Sequence, residues 1–166
     1  MKNESTTRIY QLIEKIRINR DNAHGSQEQQ WLQHHLQDPQ LREVVINLSI
    51  VSLHILSTLE QGELTGIEIA SQINATRGGV TRAAKKLLDN NLITAQKHLN
   101  DRKKIYYSLT KQGKQIAIAH DNMHKSIEHK IEKKLTSKYS DDELKIVANF
   151  LDDLSALEQQ FGEMKK

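Results

Sequence analysis

Two short apolar runs, separated by a sharp break, constrain this chain more than any other feature. Thr65 precedes Glu68 by three residues, the spacing of a capping box. There the hydroxyl accepts from a free amide at the third helical position while the carboxylate reaches back to the threonine. Ile67, Ile69, Ala70 and Ile73 then continue as a two-turn helix. Asn74 and Ala75 make a tight break, and Thr76 is positioned to cap a second helix from Arg77 to about Asp89. Two capped helices joined by a turn read as a helix-turn-helix. In the second helix Val80, Ala83, Ala84 and Leu87 share one face, and a rotation of about 100° per residue puts Gly78, Arg82, Lys85 and Asp89 opposite. Gly78 and Gly79 cost about 1 kcal/mol each relative to alanine. Either the first turn presses closely against an external surface, or the glycines relieve crowding between the two helices.

Next come two short segments, Leu92 to His98 and Lys104 to Thr110; the second alternates Ile105, Tyr107 and Leu109 with Tyr106 and Ser108. They predict a two-stranded hairpin. Its tip, LNDRKK, joins the turn formers Asn100 and Asp101 to Arg102, Lys103 and Lys104. A basic hairpin directly after a basic helix makes a wing beside the helix-turn-helix. The charge follows the same segment: positions 76 to 104 net +6 in a chain of net charge +3. A solvated face is the bland reading of such a run. A polyanion such as double-stranded DNA is the functional one.

The flanks read as helices. Ile9, Leu12, Ile13 and Ile16 recur at helical spacing before a polar, glutamine-rich piece containing Gly25, so the N-terminal region is expected to be helical but interrupted. From Pro39 a pattern through Leu41, Val44, Val45, Leu48, Val51, Ile55 and Leu59 predicts one core helix stopped by Gly62. Two further helices follow. One, from Lys111, carries Ile116, Ala119, Met123, Ile127, Ile131 and Leu135; the other, opened by Ser140 and Glu143, carries Leu144, Val147, Leu151, Leu154 and Leu157. These stripes exceed what one short winged unit can cover, so a second copy of the chain is the expected partner.

Composition removes whole classes. The absence of cysteine excludes disulfides, catalytic thiols and thiolate metal sites. No apolar run reaches the roughly eighteen residues of a membrane span, and the start MKNESTTR lacks a signal peptide's apolar stretch, so a cytoplasmic protein with no membrane partner is expected. No GxGxxG or P-loop pattern is present.

The run IEIASQINATRGGVTRAAKKLLDNNLI, followed by NDRKKIYYSLTKQG, resembles the MarR family of bacterial transcription regulators over roughly positions 41 to 160. The resemblance implies a mainly α fold with a small two-stranded β-wing, forming a single domain over 1–166. Within it, 62–110 would be the winged DNA-binding lobe, and 1–40 and 111–166 dimerisation helices. It implies a homodimeric repressor, not an enzyme, on a pseudopalindromic operator, its recognition helices about 34 to 36 Å apart. Thr76, Arg77, Gly78, Thr81, Arg82 and Lys85 would enter the major groove, with Lys86, Arg102, Lys103 and Lys104 as further DNA contacts. The family's usual wing tip is Asp, any residue, Arg. Here it reads Asp101, Arg102, Lys103, so either Arg102 takes the groove-entering role or Lys103 contacts phosphate only.

The histidines raise a metal question. HDNMH, His120 to His124, places two rings on one helical face and is one methylene from the HExxH of zinc proteases. A hydrolase is a minority reading, since Asp121 is shorter than the base that chemistry needs. A nonspecific architectural DNA-binding protein is another. By resemblance to zinc-responsive MarR regulators, His120 and His124 would join His54 on the core helix in a zinc site. His35 is the chosen fourth ligand; His34 and Glu28 are alternatives. A small organic ligand in the same crevice is the rival effector.

Overall fold

The computed structural model describes residues 4–99 and 101–163. Helix α1 runs unbroken from Glu4 to His35, so the expected interruption is absent. Gly25 costs a helix about 1 kcal/mol, while the glutamine and glutamate residues that follow it favour one. Tertiary anchoring holds the C-terminal end: Leu32 is buried, as is Leu36 just beyond the helix, and the Gln29 side-chain amide donates to the Leu48 carbonyl.

The single core helix expected from Pro39 is instead two, α2 (Pro39–Val45) and α3 (Ile50–Thr58). Asp38 caps the first by accepting from the Gln40 amide at 2.9 Å, with Pro39 opening the helix. Ser49 caps the second by accepting from the Ser52 amide at 3.1 Å. Serine competes for backbone amides in this way and therefore starts helices more readily than it continues them. Of the predicted apolar residues Leu41, Val45, Leu48, Ile55 and Leu59 are buried and Val44 and Val51 partly so, while Leu53 and Leu56 join the core.

After a 3₁₀ turn at Leu59–Gln61, Gly62 adopts φ 138°, open to glycine and strained for other residues. A short strand β1 (Leu64–Thr65) leads into α4 (Gly66–Gln72), and the capping box predicted from Thr65 and Glu68 is formed. The Thr65 hydroxyl and amide both donate to the Glu68 carboxylate, holding it below the ordinary carboxylate range. Asn74 turns the chain with φ 50°, and α5 spans Arg77–Asp89 with Thr76 accepting from the Gly79 amide at 3.1 Å. Val80, Ala83, Ala84 and Leu87 are its buried face, as the periodicity predicts. Val80 and Leu87 alone are worth about 2 kcal/mol each in burial.

The wing hairpin is β2 (Ile93–His98) and β3 (Asp101–Leu109). The structure adds β1 as a third strand, in the antiparallel order β1-β3-β2, with Leu64 opposite Tyr107 and Ile93 opposite Leu109. Glu63 fastens this sheet: its carboxylate lies 2.7 Å from the His98 Nε2 and accepts from the Gln96 amide at 2.8 Å. Asn100, expected to turn the tip, lies outside the described residues.

Helix α6 (Lys111–Thr136) starts where the sequence places it, and α7 (Asp141–Glu163) follows the predicted Ser140–Glu143 capping box. The chain divides into two compact units, residues 1–123 and 124–166, with the division inside α6. In the first unit Ile9, Leu12 and Ile16 are exposed; in the second so are Ile127, Ile131, Leu135, Val147, Phe150, Leu151 and Leu157. Among the described residues no helix is long and apolar enough to cross a membrane.

The start of α6 is seated on the backbone of the preceding lobe. Thr110 donates through its hydroxyl to the Asn91 carbonyl at 2.8 Å and accepts from the Gly113 amide at 3.0 Å. A Cβ on Gly113 would lie 1.9 Å from the Leu92 carbonyl oxygen. Gly113→Ala is therefore expected to destabilise the protein by about 3 kcal/mol, the upper part of the overpacking range, because backbone must move. Chemical denaturation of the variant against the parent checks this.

Candidate functional site

Two groups of side chains stand out, one on the outward face of α5 and one where α1, α3 and α6 meet. On α5 the capping of Thr76 and the burial of the opposite face leave Arg77, Gly78, Thr81, Arg82, Lys85 and Lys86 exposed. The Thr76 hydroxyl is engaged in the cap, and the Thr81 hydroxyl donates to the Arg77 carbonyl at 2.9 Å. Both hydroxyls are thus engaged with the helix backbone, and each keeps further hydrogen-bonding capacity. The two glycines differ. A Cβ on Gly78 would meet nothing within 4 Å, whereas one on Gly79 would meet the Thr76 hydroxyl at 3.0 Å. Crowding between helices therefore does not account for Gly78.

The wing brings its own cations to the same side. A groove of about 550 Å³ is lined by Arg77 and Thr81 of α5, by Glu68 of α4 and by Lys103, Lys104 and Tyr107 of β3. Lys104 is exposed and paired: its ammonium lies 3.1 Å from the Asp101 carboxylate. That pairing holds Asp101 below the ordinary carboxylate range and raises Lys104. The tip aspartate thus pairs with one lysine, and Arg102, Lys103 and Lys104 are all exposed. The sequence reading missed this pairing, although the i, i+3 spacing of Asp101 and Lys104 is a signal for it.

The second group contains the buried polar residues Glu28 and His120. His120 is 2% exposed on α6; its Nε2 lies 3.2 Å from the Glu28 carboxylate of α1 and its Nδ1 lies 2.8 Å from the Ser57 hydroxyl of α3. The ring of His54, also on α3, is tilted against the ring of His120 at 5.6 Å between centroids. His124 follows His120 by one turn of the same continuous helix. One ligand atom from each of Glu28, His54, His120 and His124 lies within 4.8 Å of the other three.

His54, His120 and His124 thus come together as expected, and His35 does not join them. It is exposed at the end of α1, its ring stacked on Trp31 at 3.6 Å and its Nδ1 2.7 Å from the Trp31 carbonyl. His34 is likewise exposed, with Nδ1 2.6 Å from the Gln30 carbonyl. The carboxylate in the cluster is Glu28, weighed as an alternative and brought in by the unbroken course of α1. Ser57 escaped the sequence reading altogether. Its one-turn spacing from His54 was the available signal.

Three imidazoles and one carboxylate form a donor set that suits zinc. Tetrahedral zinc at about 2.0 to 2.1 Å from its ligands holds them roughly 3.3 Å apart, so the cluster needs only small side-chain movements to close on the ion. On chemistry and spacing, the residues fit the metal.

Comparison with known proteins follows the same lines. The MarR family model matches residues 48–105. The chain is 31% identical over 106 residues to the transcriptional regulator AdcR of Streptococcus pyogenes, covering 64% of this chain and 71% of that one. It is 30% identical over 116 residues to the transcriptional regulator ZitR of Lactococcus lactis, covering 70% and 77%. It also spans 65% of an HTH-type transcriptional regulator of Bacillus subtilis, YvnA, matching at 30% identity over 61% of its own length. The crystal structure of ZitR, a zinc-responsive MarR family member, superposes with TM-score 0.71 at 26% identity, over 94% of this chain and 98% of that one. Wild-type ZitR in complex with DNA gives 0.69 at 25% identity, over 96% and 99%. These relatives are named as transcriptional regulators and not as enzymes. With its capped helix-turn-helix, its wing and relatives of this kind, the chain belongs to the MarR family of transcription regulators.

Proposed function

We propose that this regulator is a zinc-controlled repressor that binds a pseudopalindromic operator as a homodimer. One observation carries the reading: α3 links the two groups of residues, since it supplies His54 to the proposed metal cluster and packs against the recognition helix α5. A ligand that restrains α3 can therefore bias how α5 is presented. When bound, zinc supplies a geometry-demanding cross-link, held by Glu28, His54, His120 and His124. The relative ZitR is described as zinc-responsive and has been crystallised with DNA, which supports both halves of the proposal.

In the DNA half, Arg82 reads a guanine bidentately, Thr81 touches a thymine methyl, and Arg77, Lys85 and Lys86 serve phosphates. Arg102 and Lys103 extend from the wing toward the minor groove, while Lys104 acts mainly through its bond to Asp101. Residues 62–110 form the DNA-binding lobe, and 1–40 and 111–166 carry the dimerisation helices. A second copy would cover the apolar side chains exposed on α1 and α7.

Zinc is expected to shift operator affinity by about 5- to 150-fold, the usual range of coupling between two sites. His120→Ala should remove that response. Fluorescence anisotropy with operator duplex, with added zinc or with chelator, measures both; an affinity indifferent to chelator overturns the metal reading. Gly78→Ala should raise helix stability by up to about 1 kcal/mol and yet weaken operator binding, because the added methyl faces the DNA backbone and nothing in the protein. A melting curve and a gel shift on the same sample separate the two effects. Leu151→Glu on α7 should yield a monomer by light scattering, since it puts a charge on the apolar face assigned to the second copy.

A further inference from the structure

Resting on the zinc reading above, we propose that Ser57 is a positioning residue that allows His120 to serve two states. The argument is one of donors and acceptors. His120 is 2% exposed, so both ring nitrogens need partners inside the protein. Its Nε2 faces the Glu28 carboxylate at 3.2 Å, and an ionised carboxylate only accepts. When that ring is neutral its proton belongs on Nε2, facing the carboxylate, and Nδ1 accepts from the Ser57 hydroxyl 2.8 Å away.

A metal on Nε2 takes the lone pair of that nitrogen, so the neutral ring must then carry its proton on Nδ1. The proton on Nε2 would pass to solvent and solvent would return one to Nδ1, leaving the charge of the ring unchanged. The group facing Nδ1 must change from donor to acceptor. A hydroxyl does so by rotating about its C–O bond, with no movement of α3. The nearby Asp121 oxygen, at 3.8 Å from Nδ1, is beyond hydrogen-bond reach. Ser57 also lies one turn from His54, so α3 is attached to the cluster at two points, directly through His54 and indirectly through His120.

The test compares wild type, Ser57→Ala and Ser57→Thr. Zinc affinity, read by competition with a chromophoric chelator, is expected to fall about 10- to 100-fold in Ser57→Ala and to return toward wild type in Ser57→Thr. Imidazole ¹⁵N spectra supply the readout that a merely structural role would not move. In the metal-free protein the His120 Nδ1 resonance should show an accepted hydrogen bond that Ser57→Ala loses. In the zinc-loaded wild type, Nδ1 should carry an exchange-protected proton. A wild type that takes up no zinc overturns the functional reading and this inference with it. A wild type that binds zinc, beside a Ser57→Ala variant of equal affinity or with an unchanged Nδ1 resonance, overturns the inference alone.

Discussion

A buried imidazole has two polar nitrogens and cannot leave either unsatisfied without a cost of about 1 to 3 kcal/mol. His120 meets that requirement by drawing on Glu28 from α1 and Ser57 from α3, partners 92 and 63 residues away. Much of the proposed metal-binding group follows from this. Glu28 is brought to the ring as its carboxylate partner, His54 is carried in on the same helix as Ser57, and His124 is supplied by the next turn of α6. Such a polar group in an otherwise apolar interior is stabilising only when fully partnered, which makes it specific about how the three helices meet.

The DNA-binding lobe obeys a different constraint. Its helices are short, and they hold because each is capped and has one apolar face against a common core. Thr65 with Glu68 starts α4, Thr76 starts α5, and Val80, Ala83, Ala84 and Leu87 anchor α5. The opposite face is thereby free to be cationic. The wing is held by different means: β1 pairs with β3, Glu63 fastens His98 and Gln96, and Asp101 restrains Lys104. Glu63 therefore braces the hairpin from outside it, and the tip exposes Arg102, Lys103 and the Asp101-paired Lys104.

Helix α3 connects the two regions. Leu53, Ile55 and Leu56 are fully buried, and α3 packs against α5. Close-packed side chains transmit displacement because there is little void to absorb it. A helix that carries both a proposed metal donor and the packing surface of α5 is therefore suited to couple one to the other.

Much of this was legible from local chemistry. Capping boxes, helical periods and the alternation in the wing depend on residues within a few positions of one another, so α4, α5, the hairpin and the starts of α6 and α7 can be read directly. The face shared by His120 and His124 is equally local. Three features were not legible, and each has a long-range or competitive cause. The break between α2 and α3 turns on Ser49 capping a new helix while apolar residues continue on both sides of it. The third strand exists only because Leu64 meets Tyr107 across the fold. The carboxylate of the cluster is Glu28 and not a histidine near the end of α1, because an unbroken α1 directs Glu28 inward and leaves His35 stacked on Trp31. Sequence by itself determined which short segments become helices and which of their faces are apolar or cationic, since those properties rest on neighbours along the chain. Only tertiary structure decided which distant donors share one site, since that depends on how whole helices pack.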